Sequence, residues 1–163
     1  MGLLRELSAL TGALLLAGCA GIGETFKAPE IHLDRVVLRG LGVTGGVLDL
    51  QLGVLNPNRF DLQGTRLQVG FDVQDSHVGD IEYRDEFQVQ KGDTTALTLP
   101  LQFNWSGVSG AVRSALGQGA LPYTLKGQLT LRTPFGPRVV PFTTEGRAPL
   151  TRLGGLIPIP TGQ

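Results

Sequence analysis

From position 31 onward, apolar and polar residues alternate in short runs separated by Gly, Pro, Asn and Asp. In 47–54, Leu48, Leu50, Leu52 and Val54 fall on one side, with Asp49, Gln51 and Gly53 on the other. Residues 66–73 repeat the pattern with Leu67, Val69, Phe71 and Val73, and 95–103 with Leu97, Leu99, Leu101 and Phe103. Runs at 31–38, 78–83, 87–89, 123–131 and 138–144 complete the set. A period of two sends successive side chains to opposite faces, so each strand has one buried and one wet face. Pro100 and Pro141 interrupt two of these runs; lacking an N–H, they place their strands at an edge or a bulge. Only 106–116 departs from the alternation. There Val108, Val112, Ala115 and Leu116 recur at helical spacing, with Ser106 as N-cap and Gly117 as the stop. The predicted fold is all-β, an antiparallel β-sandwich with one short helix.

The N-terminal segment follows a different logic. Arg5 precedes an apolar stretch, residues 7–16, that is too short for the ~20 residues of a spanning helix. It fits the h-region of a signal peptide. It runs into Leu16-Ala17-Gly18-Cys19, which contains the only cysteine of the chain. This resembles a bacterial lipobox: small residues admit the peptidase to the backbone, and the thiol takes the diacylglycerol thioether. Ala20 follows where an aspartate would favour inner-membrane retention. The resemblance implies a lipid anchor at Cys19 in the bacterial cell envelope, at the outer membrane facing the periplasm. At ~0.8 kcal/mol per buried methylene, two or more acyl chains hold firmly. The chain then divides into a lipoprotein signal peptide at 1–18, a tether at 19–30, a β domain at 31–148 and a tail at 149–163. Residues 20–30 reach at most ~35–40 Å when extended. The tail carries Leu153, Leu156, Ile157 and Ile159 among Gly and Pro. It has no strand-length run and is expected to dock loosely or remain free.

Residues 56–62 read Asn56-Pro57-Asn58-Arg59-Phe60-Asp61-Leu62, directly after an alternating strand. A further strand and a Lys91-Gly92-Asp93 turn before the next alternating run come after it. This order, over roughly 33–146, resembles the LEA-2 family, whose core is also called the water stress and hypersensitive response (WHy) domain. The resemblance implies a fibronectin-III-like or immunoglobulin-like sandwich and a role in desiccation, cold or other stress. On physical grounds alone, Pro57 holds Asn56 extended and removes a ladder donor, while the asparagines can bond nearby backbone and end the strand. A strand-ending corner is the expectation for Asn56, Pro57 and Asn58, with ligand binding as the alternative.

Composition narrows the function. Fourteen Lys and Arg balance fourteen Asp and Glu, without the basic excess of a nucleic-acid binder. One cysteine removes both a disulfide framework and a cysteine zinc site. His32 alternates with Ile31 and Leu33 and is expected to face solvent, and His77 lies in a turn-like segment. Neither has a second His or Cys nearby, so no metal site is expected. No Gly-x-Ser-x-Gly elbow and no phosphate-binding glycine loop occurs, so neither a catalytic residue nor a cofactor is assigned. The charges are unevenly placed: residues 19–98 hold 7 Lys/Arg and 12 Asp/Glu, residues 99–163 hold 6 and 1. The densest acidic stretch, Asp72 to Glu86, is expected to be a solvated hairpin whose charges pair with the basic strands. The functional expectation is a non-enzymatic, lipid-anchored, stress-protective protein with transient client proteins as partners. The alternatives are a module holding a lipid or other apolar ligand, and an accessory subunit of an envelope complex.

Overall fold

A computed structural model describes residues 25–152. The signal peptide, Cys19 and the apolar tail from Leu153 on lie outside the described residues. Eight strands form: β1 (Glu30–Leu41), β2 (Gly45–Leu55), β3 (Leu62–Val73), β4 (Ser76–Tyr83), β5 (Phe87–Val89), β6 (Thr94–Asn104), β7 (Ala120–Thr133) and β8 (Gly136–Arg152). Between β6 and β7 lie a 3-10 turn at Trp105–Gly107 and one helix, α1 (Gly110–Ala115).

The strands follow one hydrogen-bonded order, β4-β3-β7-β8-β1-β2-β6, with β5 also on β3. All pairings are antiparallel except β1 with β8. Where two stacked sheets were expected, the chain makes one continuous, nearly closed, barrel-like sheet. The join is β8. Its residues 136–149 pair with β7, and its last three, Leu150, Thr151 and Arg152, pair with Val36, Val37 and Leu38 of β1. The alternation predicted 138–144 alone, because beyond Thr144 the polar Glu145, Gly146 and Arg147 hide the period. The two ends of the order approach each other across an unbonded seam, where Gly79 of β4 lies against Leu101 of β6.

The predicted inward residues fill the interior. Phe71, Leu50, Leu99, Leu125 and Leu129 are all fully buried. Pro100 lies in β6, at one end of the strand order, and Pro141 in the stretch of β8 that has β7 as its strand partner. Neither proline therefore interrupts a doubly paired ladder. The helix is shorter than expected. Val108 is extended (φ −107°, ψ 124°), so the 3-10 turn and α1 are separate and Ser109, not Ser106, caps α1 by accepting from the Val112 N–H at 3.4 Å. The apolar stripe is nevertheless buried, with Val112 and Ala115 closing one end of the barrel.

Glycines in the strands have a common explanation. Gly46, Gly53, Gly64, Gly127 and Gly146 stand directly opposite Phe103, His32, Phe87, Phe142 and Tyr123 in the neighbouring strand. Each ring lies over its glycine: a Cβ would collide with it at Gly46, Gly53, Gly64 and Gly127 and press tightly on it at Gly146. Ring-over-glycine pairs pin strand register.

Candidate functional site

At the end of the barrel opposite α1, the Asn56-Pro57-Asn58 corner turns both asparagines inward, Asn56 fully buried and Asn58 nearly so. An asparagine amide offers two donors and two acceptor sites. Asn56 uses all four. Its Nδ2 donates to the carbonyls of Phe60 (2.8 Å) and Val89 (3.0 Å). Its Oδ1 accepts from the Asn58 N–H (3.0 Å) and from Asn58 Nδ2 (2.9 Å). Its main chain pairs with the next turn: the Asn56 N–H donates to the Asp93 carbonyl, and the Gly92 N–H donates back to the Asn56 carbonyl. Gly92 sits at φ +69°, a left-handed geometry open to glycine. Asp61 Oδ1 accepts from the Lys91 N–H at 2.9 Å and fixes the other side of that turn.

Asn58 carries the network outward. Its Oδ1 accepts from the Lys27 N–H at 2.7 Å, and its Nδ2 donates to the Lys27 carbonyl at 2.8 Å. The segment expected to be free tether is therefore bonded to the domain from Lys27 on. Phe26 packs against the core and Pro29 is buried. An aromatic residue and a proline in an otherwise small and polar tether were the available signal. The corner thus clamps three segments: the approach to β1, the β2–β3 loop and the 90–93 turn. Both Nδ2 groups are fully engaged, so the motif has no amide donor left for a ligand. Beside it, Arg59, Lys91 and Gly92 line a shallow open depression with Asn58.

His77 lies at the start of β4, between two carboxylates. Its Nδ1 is 2.8 Å from Asp72 and its Nε2 3.2 Å from Asp80. These hydrogen bonds, that to Asp72 first, raise its pKa above 6.5 against a smaller opposing effect of burial. Lys126 of β7 reaches Asp72 at 3.6 Å, and Arg66 and Arg84 pair with Glu82. Arg132 pairs with Glu86 at 2.9 Å. The acidic hairpin is thus matched by bases on β3 and β7. These strands also present an open polar face around Gly70, lined by Gln68, Asp80, Glu82, Lys126 and Gln128. His32 is exposed and contacts Asp34 at 3.1 Å. Among the described residues no group of three His, Cys, Asp or Glu is placed to hold a metal ion.

One polar residue keeps its expected face but not its expected exposure. Asp49 points outward as the alternation requires, yet it is buried (3% exposed) and accepts from Arg39 Nε. β2 lies between β1 and β6, and Arg39 reaches Asp49 from β1.

A family model described as late embryogenesis abundant protein (LEA_2) matches residues 51–146, from within β2 to within β8 and across the whole Asn56–Asn58 corner. Among solved structures, the chain resembles the Arabidopsis thaliana protein AT1g01470, with TM-score 0.62 and 20% identity over 80% of this chain and 87% of that one. A candidate late embryogenesis abundant protein, At2g46140.1, matches with TM-score 0.47 and 19% identity, over 76% and 72% of the two chains. No curated protein matches the chain in sequence. At 20% identity the first structure speaks for the fold alone, and the family model carries the assignment. The chain belongs to the LEA-2 family.

Proposed function

We propose that this chain is a lipid-anchored protein of the bacterial envelope whose LEA-2 domain, of the WHy type, protects other macromolecules during drying or cold by non-enzymatic contact. The reading is carried by the join between two features. A lipobox-like Leu16-Ala17-Gly18-Cys19 stands eight positions before Lys27, the residue that Asn58 grips. A membrane anchor at Cys19 would therefore lead almost directly into a rigid domain. Contact through the outer surface, rather than through a ligand held inside, is supported by an interior filled with Phe71, Leu48, Leu50, Leu99 and Leu125. The polar face around Gly70 offers alternating donors and acceptors suited to weak, non-stoichiometric contacts with partly unfolded clients.

Two measurements test the proposal separately. Cys19→Ser should abolish lipidation and cleavage at that site and move the chain out of the membrane fraction. An unchanged processed mass in membranes would overturn the anchor. The purified chain, dried with a labile enzyme, should preserve more activity than an equal mass of an inert protein. Equal losses would overturn the protective role.

A further inference from the structure

At the α1 end of the barrel, the β1–β2 hairpin closes through Gly42-Val43-Thr44. Three hydrogen bonds hold its main chain. The Gly42 N–H donates to the Gly45 carbonyl at 2.7 Å, the Trp105 N–H to the Thr44 carbonyl at 2.9 Å, and Trp105 Nε1 to the Gly42 carbonyl at 3.0 Å. This fixed turn nevertheless keeps large apolar side chains out in water, Leu41 at 55% exposure and Val43 at 99%. Val43 is neither a turn-forming residue type nor part of the core, so folding gains nothing from it. Apolar groups held out in this way mark contact sites. The Trp105 ring continues the patch. It meets Phe103 edge-on at 5.0 Å, and its polar N–H is already taken by the hairpin.

Basic side chains share this end. Three of the six bases after residue 98 are here. Arg113 of α1 has its guanidinium 5.0 Å from the Trp105 centroid, Arg147 stands beside Pro122 near the start of β7, and Arg152 ends β8. None of the three is in an ion pair among the described residues. The loops of this end, 42–44, 74–75 and 105–119, hold a single carboxylate, Asp75. We propose that this hairpin tip docks on an anionic lipid surface. Val43 and Leu41 enter the boundary between headgroups and acyl chains, Trp105 lies at that boundary, and Arg113, Arg147 and Arg152 meet the lipid phosphates. An apolar apex among unpaired cations matches a surface that is negative outside and apolar beneath, which an anionic bilayer supplies. Tryptophan favours that boundary because its ring is apolar and its N–H polar. The inference stands apart from the anchor, since Lys27 enters the domain at the opposite end of the barrel.

The test uses the full-length chain, in which Trp105 is the only tryptophan. Vesicles whose acyl chains carry bromine quench a tryptophan that reaches them, so this tip alone is read, whatever else on the chain touches lipid. Phosphatidylglycerol vesicles should blue-shift and quench Trp105, and phosphatidylcholine vesicles should need at least tenfold more lipid. Val43→Ser should raise the lipid needed for half-maximal quenching about tenfold, and Arg147→Gln about fivefold. Both side chains are exposed, so both variants keep the fold. Arg59→Gln/Lys91→Gln, at the opposite end, should match wild type. The proposal is overturned if phosphatidylglycerol vesicles leave Trp105 unquenched, if the two lipids act alike, or if Val43→Ser matches wild type. A blue shift with a denatured protein but not with vesicles also overturns it and assigns the tip to protein clients.

Discussion

A single amide can be worth more to this domain than most ion pairs on its surface. Asn56→Ala leaves the carbonyls of Phe60 and Val89 and the Asn58 N–H without partners in a buried place. Buried unsatisfied groups cost about 1–3 kcal/mol each, so a loss of ~3 kcal/mol and a melting temperature lower by on the order of 10 °C are expected by calorimetry. Unchanged stability with lost protective activity would instead make the corner a contact site. His77 gives a pH signature of opposite style. Its pKa is raised in the folded state by Asp72 and Asp80, with Lys126 on the far side of Asp72. The ring's contribution is therefore complete below about 6.5 and is lost as pH rises through the raised value. His77→Gln should flatten the stability profile in that window, by a small amount because the ring is more than half exposed. Unfolding midpoints at about pH 5.5 and pH 8.5 check it. The corner motif was legible at this scale, because Asn-Pro-Asn has few local conformations. Its grip on Lys27 was not, since 31 residues separate the partners.

At the scale of elements, strand existence was legible wherever one face is buried and the other wet, as in 47–54, 66–73 and 95–103. Strand ends and partners were less so. β3 begins four residues earlier than its alternation, because a register shift between Gly64 and Arg66 breaks the period. β8 runs to Arg152 because the last part of its ladder is made with β1 rather than with a hairpin neighbour. The expected domain boundary near 148 therefore falls inside a strand. A chain ending at Pro149 loses the pairing of Leu150–Arg152 with β1, the Leu150 N–H bond to Gly119 and the Arg152 bond to Leu116. About 2–4 kcal/mol should go with them. A chain ending at Arg152 should lose less than half as much. Denaturant midpoints of the two truncations separate these outcomes, and equal losses would move the boundary outward.

On the scale of the whole molecule, β8 decides the order of events. Strands β1, β2 and β6 pair among themselves, as do β3, β4, β5 and β7. Among the described residues no strand ladder joins one group to the other except through β8, and Gly79 of β4 lies against Leu101 of β6 across the seam. A ribosome delivers these strands in sequence order, so both half-sheets can form while residues 136–152 are still unmade. They remain unjoined until that segment emerges, and a half-sheet with apolar residues on one side stays loose and open. Such a chain stays open until residues 136–152 emerge to join the two groups. A premature stop before residue 136 would yield two half-sheets with no bonded join.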